Sequence, residues 1–131
     1  MSASFTAEWL DLREPFDSAA RSGELAREFA AALAEKAAIV DLGAGTGANL
    51  RALAPLTGRA RRWRLIDADA ALLARAANSS AGAETRVLDL ARDLEVACEG
   101  ADAIVANALL DLVSDSWLLR LVAIAAARRC P

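Results

Sequence analysis

The sequence predicts an α/β fold built on a parallel sheet, and three observations predict it. Short β-prone runs alternate with longer alanine- and leucine-rich stretches, the pattern of right-handed β-α-β units. Each of those runs is apolar and closes on a polar residue where a loop should begin. Finally, 56% of the 131 residues are apolar, enough for one core and no more than one domain. Much of that apolar content is alanine, so closely approaching helices and strands should form the core, with few large aromatics. The expected organisation is a single domain over residues 1–131, with a helical segment over residues 1–36 and a βα core over residues 37–131.

Taken in order, a short helix over residues 6–12 should stop before Pro15, because proline disfavours helical geometry in the residue preceding it. Residues 22–36 form the leading long helix, since Leu25, Phe29 and Leu33 recur every fourth residue and Ser22 can cap the exposed amides. Strands are expected at Ala38–Leu42 and at residues 63–67, 85–89 and 102–107. Helices follow near residues 47–54, 69–77 and 115–127, the last with Ser114 as cap and Asp115 in its anion-favouring first turn. There is no internal repeat and no low-complexity linker.

Composition narrows the chemistry. A net charge of −3 and a pI near 5.0 give no general attraction to nucleic acid or to an anionic membrane, so a small soluble ligand is the expected partner. The first six residues lack a basic start and an apolar core, and the apolar run over residues 118–127 is interrupted by Arg120; neither a signal peptide nor a spanning helix is expected. Cys98 and Cys130 have no CxxC spacing and no histidine near them, which favours reduced, structural thiols and a cytoplasmic location. Histidine and tyrosine are absent, which removes histidine-based triads, HExxH zinc sites and tyrosine acid/base chemistry. The chemistry must rest on carboxylates, amides, hydroxyls, thiols or a borrowed cofactor.

The strongest local signal is Ile39-Val40-Asp41-Leu42-Gly43-Ala44-Gly45-Thr46-Gly47-Ala48, an apolar strand that runs into three alternating glycines and then a helix. Such glycines permit positive φ and let a ligand approach the backbone, while the next helix offers free N–H groups. Asp67 closes the second strand 22 residues after Gly45, where a carboxylate can accept both ribose hydroxyls of an adenosine. The competing reading is that Asp67 or Asp69 caps the next helix, and Asp89 equally can cap the turn that follows it.

Asp41, Gly43, Gly45 and Gly47 together match the pattern of an acidic residue, any residue, then Gly-x-Gly-x-Gly, and in this the sequence resembles the class I S-adenosylmethionine-dependent methyltransferases. The resemblance implies a Rossmann-like three-layer sandwich. It also implies that the loop wraps the methionine part of S-adenosylmethionine, with Asp41 acting on its ammonium group directly or through water and S-adenosylhomocysteine as the product. By the same resemblance Asp67 holds the ribose, Asp89 accepts from the adenine amino group, the Leu90 backbone lies along the ring, and Asn107 ends the fourth strand beneath the reactive methyl. Segments before the first strand, especially Trp9, Arg13, Glu14 and Phe16, can cover such a cofactor or shape the acceptor pocket; for Trp9 and Phe16 ordinary packing is the expectation.

The resemblance covers nearly the whole chain but only about the first four of the family's seven strands, whose order is 3-2-1-4-5-7-6. A truncated four-strand sheet of order 3-2-1-4 is therefore expected. It leaves the fourth strand as an open apolar edge suited to self-association, and it keeps a non-catalytic or regulatory S-adenosylmethionine-binding module as a second class of function. A nicotinamide-binding domain is the nearest competitor, since Gly43-x-Gly45-x-x-Ala48 satisfies the permissive dinucleotide fingerprint. Asp41 opposes it, because a carboxylate beside the loop repels a pyrophosphate and welcomes an ammonium. A triphosphate-binding loop is excluded by the lack of Gly-Lys-Ser/Thr, and no Asn-Pro-Pro-Tyr or Asp-Pro-Pro-Tyr marks an amino-methylating enzyme for DNA bases or protein glutamine. The basic run Arg59-Ala60-Arg61-Arg62-Trp63-Arg64 is expected to solvate a loop, which makes nucleic acid an unlikely ligand. The acceptor and the catalytic residues are not legible in the sequence; Asp111 is the nearest acid to the fourth strand.

Overall fold

The structure, a computed structural model, describes residues 5–59, 61–80 and 82–131. Its centre is β1 (Ala38–Leu42), which pairs in parallel with β2 (Arg62–Asp67) on one side and β4 (Ala103–Ala106) on the other, while β3 (Glu84–Val87) pairs with β2. The sheet order is β3-β2-β1-β4, as the resemblance implies. With neighbours at both edges and helices over both faces, β1 buries Ile39, Val40, Asp41 and Leu42 alike. That is why its sequence reads as an apolar run broken by Asp41 and not as an alternation.

The two faces of the sheet carry separate cores. Ile39, Leu65 and Trp63 pack with Ala26 of α2 (Gly23–Ala32), Leu53 of α3 (Ala48–Thr57) and Leu73 and Ala76 of α4 (Ala70–Ser79). Val40, Leu42 and Ile66 pack on the other face with Leu94 and Ala97 of α5 (Leu94–Ala97) and Trp117 of α6 (Asp115–Arg128). The result is a three-layer sandwich, each large buried side chain contributing about 1.5–3 kcal/mol. A further helix, α1 (Ala7–Ala20), has no buried residue.

Several boundaries depart from expectation. α1 does not stop before Pro15 but continues through it to Ala20. An internal proline removes one helical hydrogen bond and crowds the carbonyl four residues back; here the flanking side chains are tied off, Arg13 to Asp17, Glu14 to Arg51 and Asp11 to Arg75. α3 likewise runs past Ala54 through Pro55 to Thr57. α2 ends at Ala32, short of Lys36, because Leu33 turns extended (φ −77°, ψ 136°) and enters the core. Leu25, expected on the apolar face of α2, is exposed, and Ala26 takes the buried position. β3 ends at Val87, since the Asp89 carbonyl already accepts the Arg92 and Asp93 N–H groups of a turn. Asp102 and Asn107 fall just outside β4, and α5 and a 3-10 turn (Leu110–Leu112) are too short to leave a periodic signature.

The basic run has structural partners. Arg61 donates to the Leu33 and Ala34 carbonyls, and Arg64 to the Ala97 and Glu99 carbonyls, so both tie neighbouring segments to the start of β2. Trp63, buried in the core, offers no stacking surface. No helix among the described residues is long and apolar enough to cross a membrane.

Candidate functional site

A cavity of about 1020 Å³ opens at the carboxyl ends of the strands, where an open α/β sheet places its ligands. Gly43, Gly45 and Asn49 line its floor, Asp67, Asp89 and Leu90 one wall, and Asn107 and Leu109 the other. Leu10, Arg13, Glu14, Asp17 and Arg21 from α1 and its end close it from above.

The floor is the turn from β1 into α3. Gly47 caps α3 with φ 92°, and Gly45 sits at φ 56°, both in the left-handed region that costs other residues strain. Gly43 lines the cavity beside Leu109, whose δ-carbon would stand 3.3 Å from a methyl placed there. The turn is pinned by the Ala44 N–H, which donates to the Ile66 carbonyl at 2.8 Å, and by Arg51, which donates to the Thr46 carbonyl at 2.6 Å. Gly47 is buried behind the floor, where a methyl would just touch Ala76 at 3.4 Å.

Asp67 does not cap α4. One of its oxygens accepts from the Gly45 N–H and the other from the Asp69 N–H, each at 2.9 Å, so its carboxylate bridges the glycine turn to the β2–α4 turn. Asp69 is the cap, accepting from Ala71 and Leu72. Asp89 accepts from the Ala91 N–H at 3.0 Å and is otherwise exposed at the cavity wall. Leu90 is buried, and its carbonyl receives the Trp117 indole N–H at 2.7 Å, which locks its backbone onto α6.

Asp41 is wholly buried and stands one layer behind the floor, its Oδ1 accepting from the Asn49 amide at 2.9 Å. Burial pushes its pKa up to about 7; the Asn49 bond and the Arg21 charge pull the other way, and Asp67 adds to the rise. Asn49 Oδ1 in turn accepts from Arg21 Nη2 at 2.9 Å. One atom of the Asn107 amide stands 2.7 Å from Asn49 Oδ1 and beside the Arg21 guanidinium; as the nitrogen it donates to Asn49, and as the oxygen it accepts from Arg21. Two buried atoms in this cluster have no partner among the described residues, Asp41 Oδ2 and Arg21 Nε.

The structure thus brings Asp41, Gly43, Gly45, Gly47, Asp67, Asp89, Leu90 and Asn107 to one end of the sheet. Arg21 and Asn49 escaped the sequence reading. Arg21 lies between two helices with no motif around it; Asn49 carried a signal, a polar residue in the first turn of a helix whose inner face should be apolar. Trp9 and Phe16, expected to pack, are instead 43% and 76% exposed. Asp111 lies exposed in the 3-10 turn. No group of three or more His, Cys, Asp or Glu residues among the described residues is arranged to hold a metal.

Comparison with known proteins accords with this geometry. Residues 39–129 match a family model described as a methyltransferase domain. None of the curated proteins compared with the chain matches it. Among solved structures, a TehB-like SAM-dependent methyltransferase from Corynebacterium glutamicum is similar at 20% identity and TM-score 0.62, over 89% of this chain and 62% of its own. A fibrillarin from Aeropyrum pernix, in complex with natively bound S-adenosyl-L-methionine, is similar at 16% identity and TM-score 0.56, over 82% of this chain and 50% of its own. A cyclopropane-fatty-acyl-phospholipid synthase-like protein from Lactobacillus casei gives 18% identity and TM-score 0.56, over 92% and 55%. At such identities the likeness is one of fold, and the chain spans between half and two thirds of the length of these proteins.

Proposed function

The chain belongs to the methyltransferase-domain family, of the class I S-adenosylmethionine-dependent type, and on that premise we propose that it binds S-adenosylmethionine above the glycine turn and transfers its methyl group to a small-molecule acceptor. The observation that carries this reading is the pair of unpartnered buried atoms of opposite charge, Asp41 Oδ2 and Arg21 Nε, joined through Asn49. Leaving such atoms unpaired is costly. An α-amino-acid group in the cavity complements that charge pair, its carboxylate on the side of the Arg21 guanidinium and its ammonium on the side of Asp41. S-adenosylmethionine carries that group, and a nicotinamide dinucleotide does not. Because Asp41 stands behind the floor, its action on the ammonium runs through water and through its field.

The remaining residues fit the adenosine part. Each Asp67 oxygen accepts one backbone N–H, and an ionised carboxylate has about four acceptor sites, so the side chain retains capacity for ribose hydroxyls. Asp89 keeps an oxygen for the adenine amino group, Leu90 offers a fixed apolar wall, and Asn107 lines the cavity just past the end of β4. When bound, S-adenosylmethionine supplies a methyl group already activated on a sulfonium, so the protein's task is alignment and exclusion of water. The cavity, at the upper end of the usual range for small-molecule sites, supports a small acceptor beside the cofactor. Two free thiols, Cys98 and Cys130, support a cytoplasmic location.

Calorimetric titration with S-adenosylmethionine, S-adenosylhomocysteine and NAD tests the reading; tighter binding of NAD would sink it. Asp67→Ala should weaken S-adenosylhomocysteine binding by about 1.5–3 kcal/mol. Unchanged affinity in a folded variant would reduce Asp67 to a structural tie between Gly45 and Asp69.

A further inference from the structure

Three of the five residues 43–47 are glycine, the residue with the most backbone freedom to lose, so a single shape for this turn depends on what holds it. Backbone donors supply part of the hold. The Ala44 N–H donates to the Ile66 carbonyl at 2.8 Å, the Gly47 N–H to the Ala44 carbonyl at 3.0 Å, and the Gly45 N–H to the Asp67 carboxylate at 2.9 Å. The Thr46 carbonyl is held differently, by a side chain.

Arg51 sits one turn into α3, and its side chain leans toward the helix N-terminus, as helical side chains do. Its Nη1 donates to the Thr46 carbonyl at 2.6 Å and lies 3.4 Å from where a methyl on Gly47 would stand. The rest of the guanidinium is fixed in turn. Nε and Nη2 donate to the two oxygens of Glu14, each at 2.8 Å, and Nη1 also to Ser79 Oγ of α4 at 3.1 Å. A planar fork gripped by Thr46, Glu14 and Ser79 has one orientation. The peptide between Thr46 and Gly47 is thereby held at both ends, its carbonyl by Arg51 and its N–H by Ala44. Freed at the carbonyl, it would meet little steric resistance to rotation, because Gly47 has no Cβ. Arg51 does not line the cavity, whereas Gly43, Ala44, Gly45 and Thr46 do, so its effect on a ligand passes through the turn.

We infer that Arg51 is a positioning residue for the amino-acid half of the ligand, holding the glycine turn in the shape that receives that group. The inference rests on the cofactor reading above. The nucleoside half is held elsewhere, by Asp67, Asp89 and Leu90, and does not depend on this clamp. Lysine is an incomplete substitute: an ammonium can replace the bond to Thr46 but not the bidentate grip on Glu14.

Calorimetric titration with S-adenosylhomocysteine and with methylthioadenosine, which keeps the nucleoside and the sulfur and lacks the amino-acid group, separates the two halves. In Arg51→Met the dissociation constant for S-adenosylhomocysteine should rise about tenfold or more, and that for methylthioadenosine should change less than about twofold. Arg51→Lys should recover part of the loss. Hydrogen exchange followed by mass spectrometry reads the turn without ligand. In Arg51→Met the amides of residues 44–47 should exchange about tenfold faster than in the parent, while those of α6, on the other face of the sheet, stay unchanged and report a folded chain. Equal loss for both ligands, or faster exchange throughout the chain, would make Arg51 a general staple of the fold and overturn the inference. Undiminished affinity for S-adenosylhomocysteine in the variant, or unchanged exchange in the turn, would overturn it as well, and leave the cofactor reading standing. A parent protein that binds neither ligand would overturn the cofactor reading and the inference with it.

Discussion

Asp41 is where the conflict between stability and ligand binding is concentrated. A carboxyl whose pKa rises on folding from 3.8 to about 7 holds its proton more tightly in the folded chain. Its contribution to stability is therefore full below about pH 4 and is lost as the pH climbs through about 7. Asp41→Asn removes the buried charge and keeps the shape. In urea unfolding it should be more stable than the parent above pH 7, by on the order of 2–4 kcal/mol, with the difference shrinking toward pH 4. Equal stability of the two proteins across that range would show that Asp41 is charged without penalty. A bound ammonium reverses the preference, so ligand binding near pH 6 should release a proton, seen as a dependence of binding heat on the buffer's ionisation enthalpy. The position of this residue was legible from its place two residues before Gly43; its partner Arg21, 28 residues before Asn49 in the chain, was not.

At the scale of the element, the turn from β1 into α3 and the helix α1 make opposite cases. The turn is dictated locally: Gly47 at φ 92° faces the α4 residue Ala76, and only a residue without Cβ holds that geometry freely. Gly47→Ala should cost about 1–2 kcal/mol of stability in urea unfolding through backbone strain alone, and no loss would mean that the turn rearranges. α1 is not dictated locally. Pro15 argues for a break, yet the helix runs on through it, with its charged face tied by Glu14 to Arg51, Asp11 to Arg75 and Asp17 to Arg13. The same ties explain why Trp9 and Phe16 escape packing: the charged face is the one turned to the cavity.

For the whole molecule, the sheet order leaves β4 at one edge of the described sheet. The edge carries a tie from the Ile104 N–H to the Pro131 carbonyl at 3.2 Å, and the neighbouring α6 exposes Leu118, Leu119 and Val122. We propose that two copies pair across this side. α6 has Asp115 in its first turn and Arg128 in its last, so a two-fold, antiparallel arrangement sets unlike charges against each other and covers the apolar middle. Light scattering should report a dimer or larger species, and Leu119→Lys, on the exposed face of α6, should shift it toward monomer. A monomer that persists at high micromolar concentration would rule the pairing out.

The sequence by itself determined the strand and helix alternation, the glycine turn and the acids that close β1 and β2. Each of these depends on neighbours within a few residues: an apolar run, a positive φ, a polar end. Only the tertiary structure decided that Asp69 and not Asp67 caps α4, that Asn49 joins Asp41 to Arg21, and that α1 lies over the cavity with its apolar face outward. The cluster around Asn49 depends on the order β3-β2-β1-β4, which sets Asn107 beside Asn49 across 58 residues of chain, a distance over which no local pattern carries information.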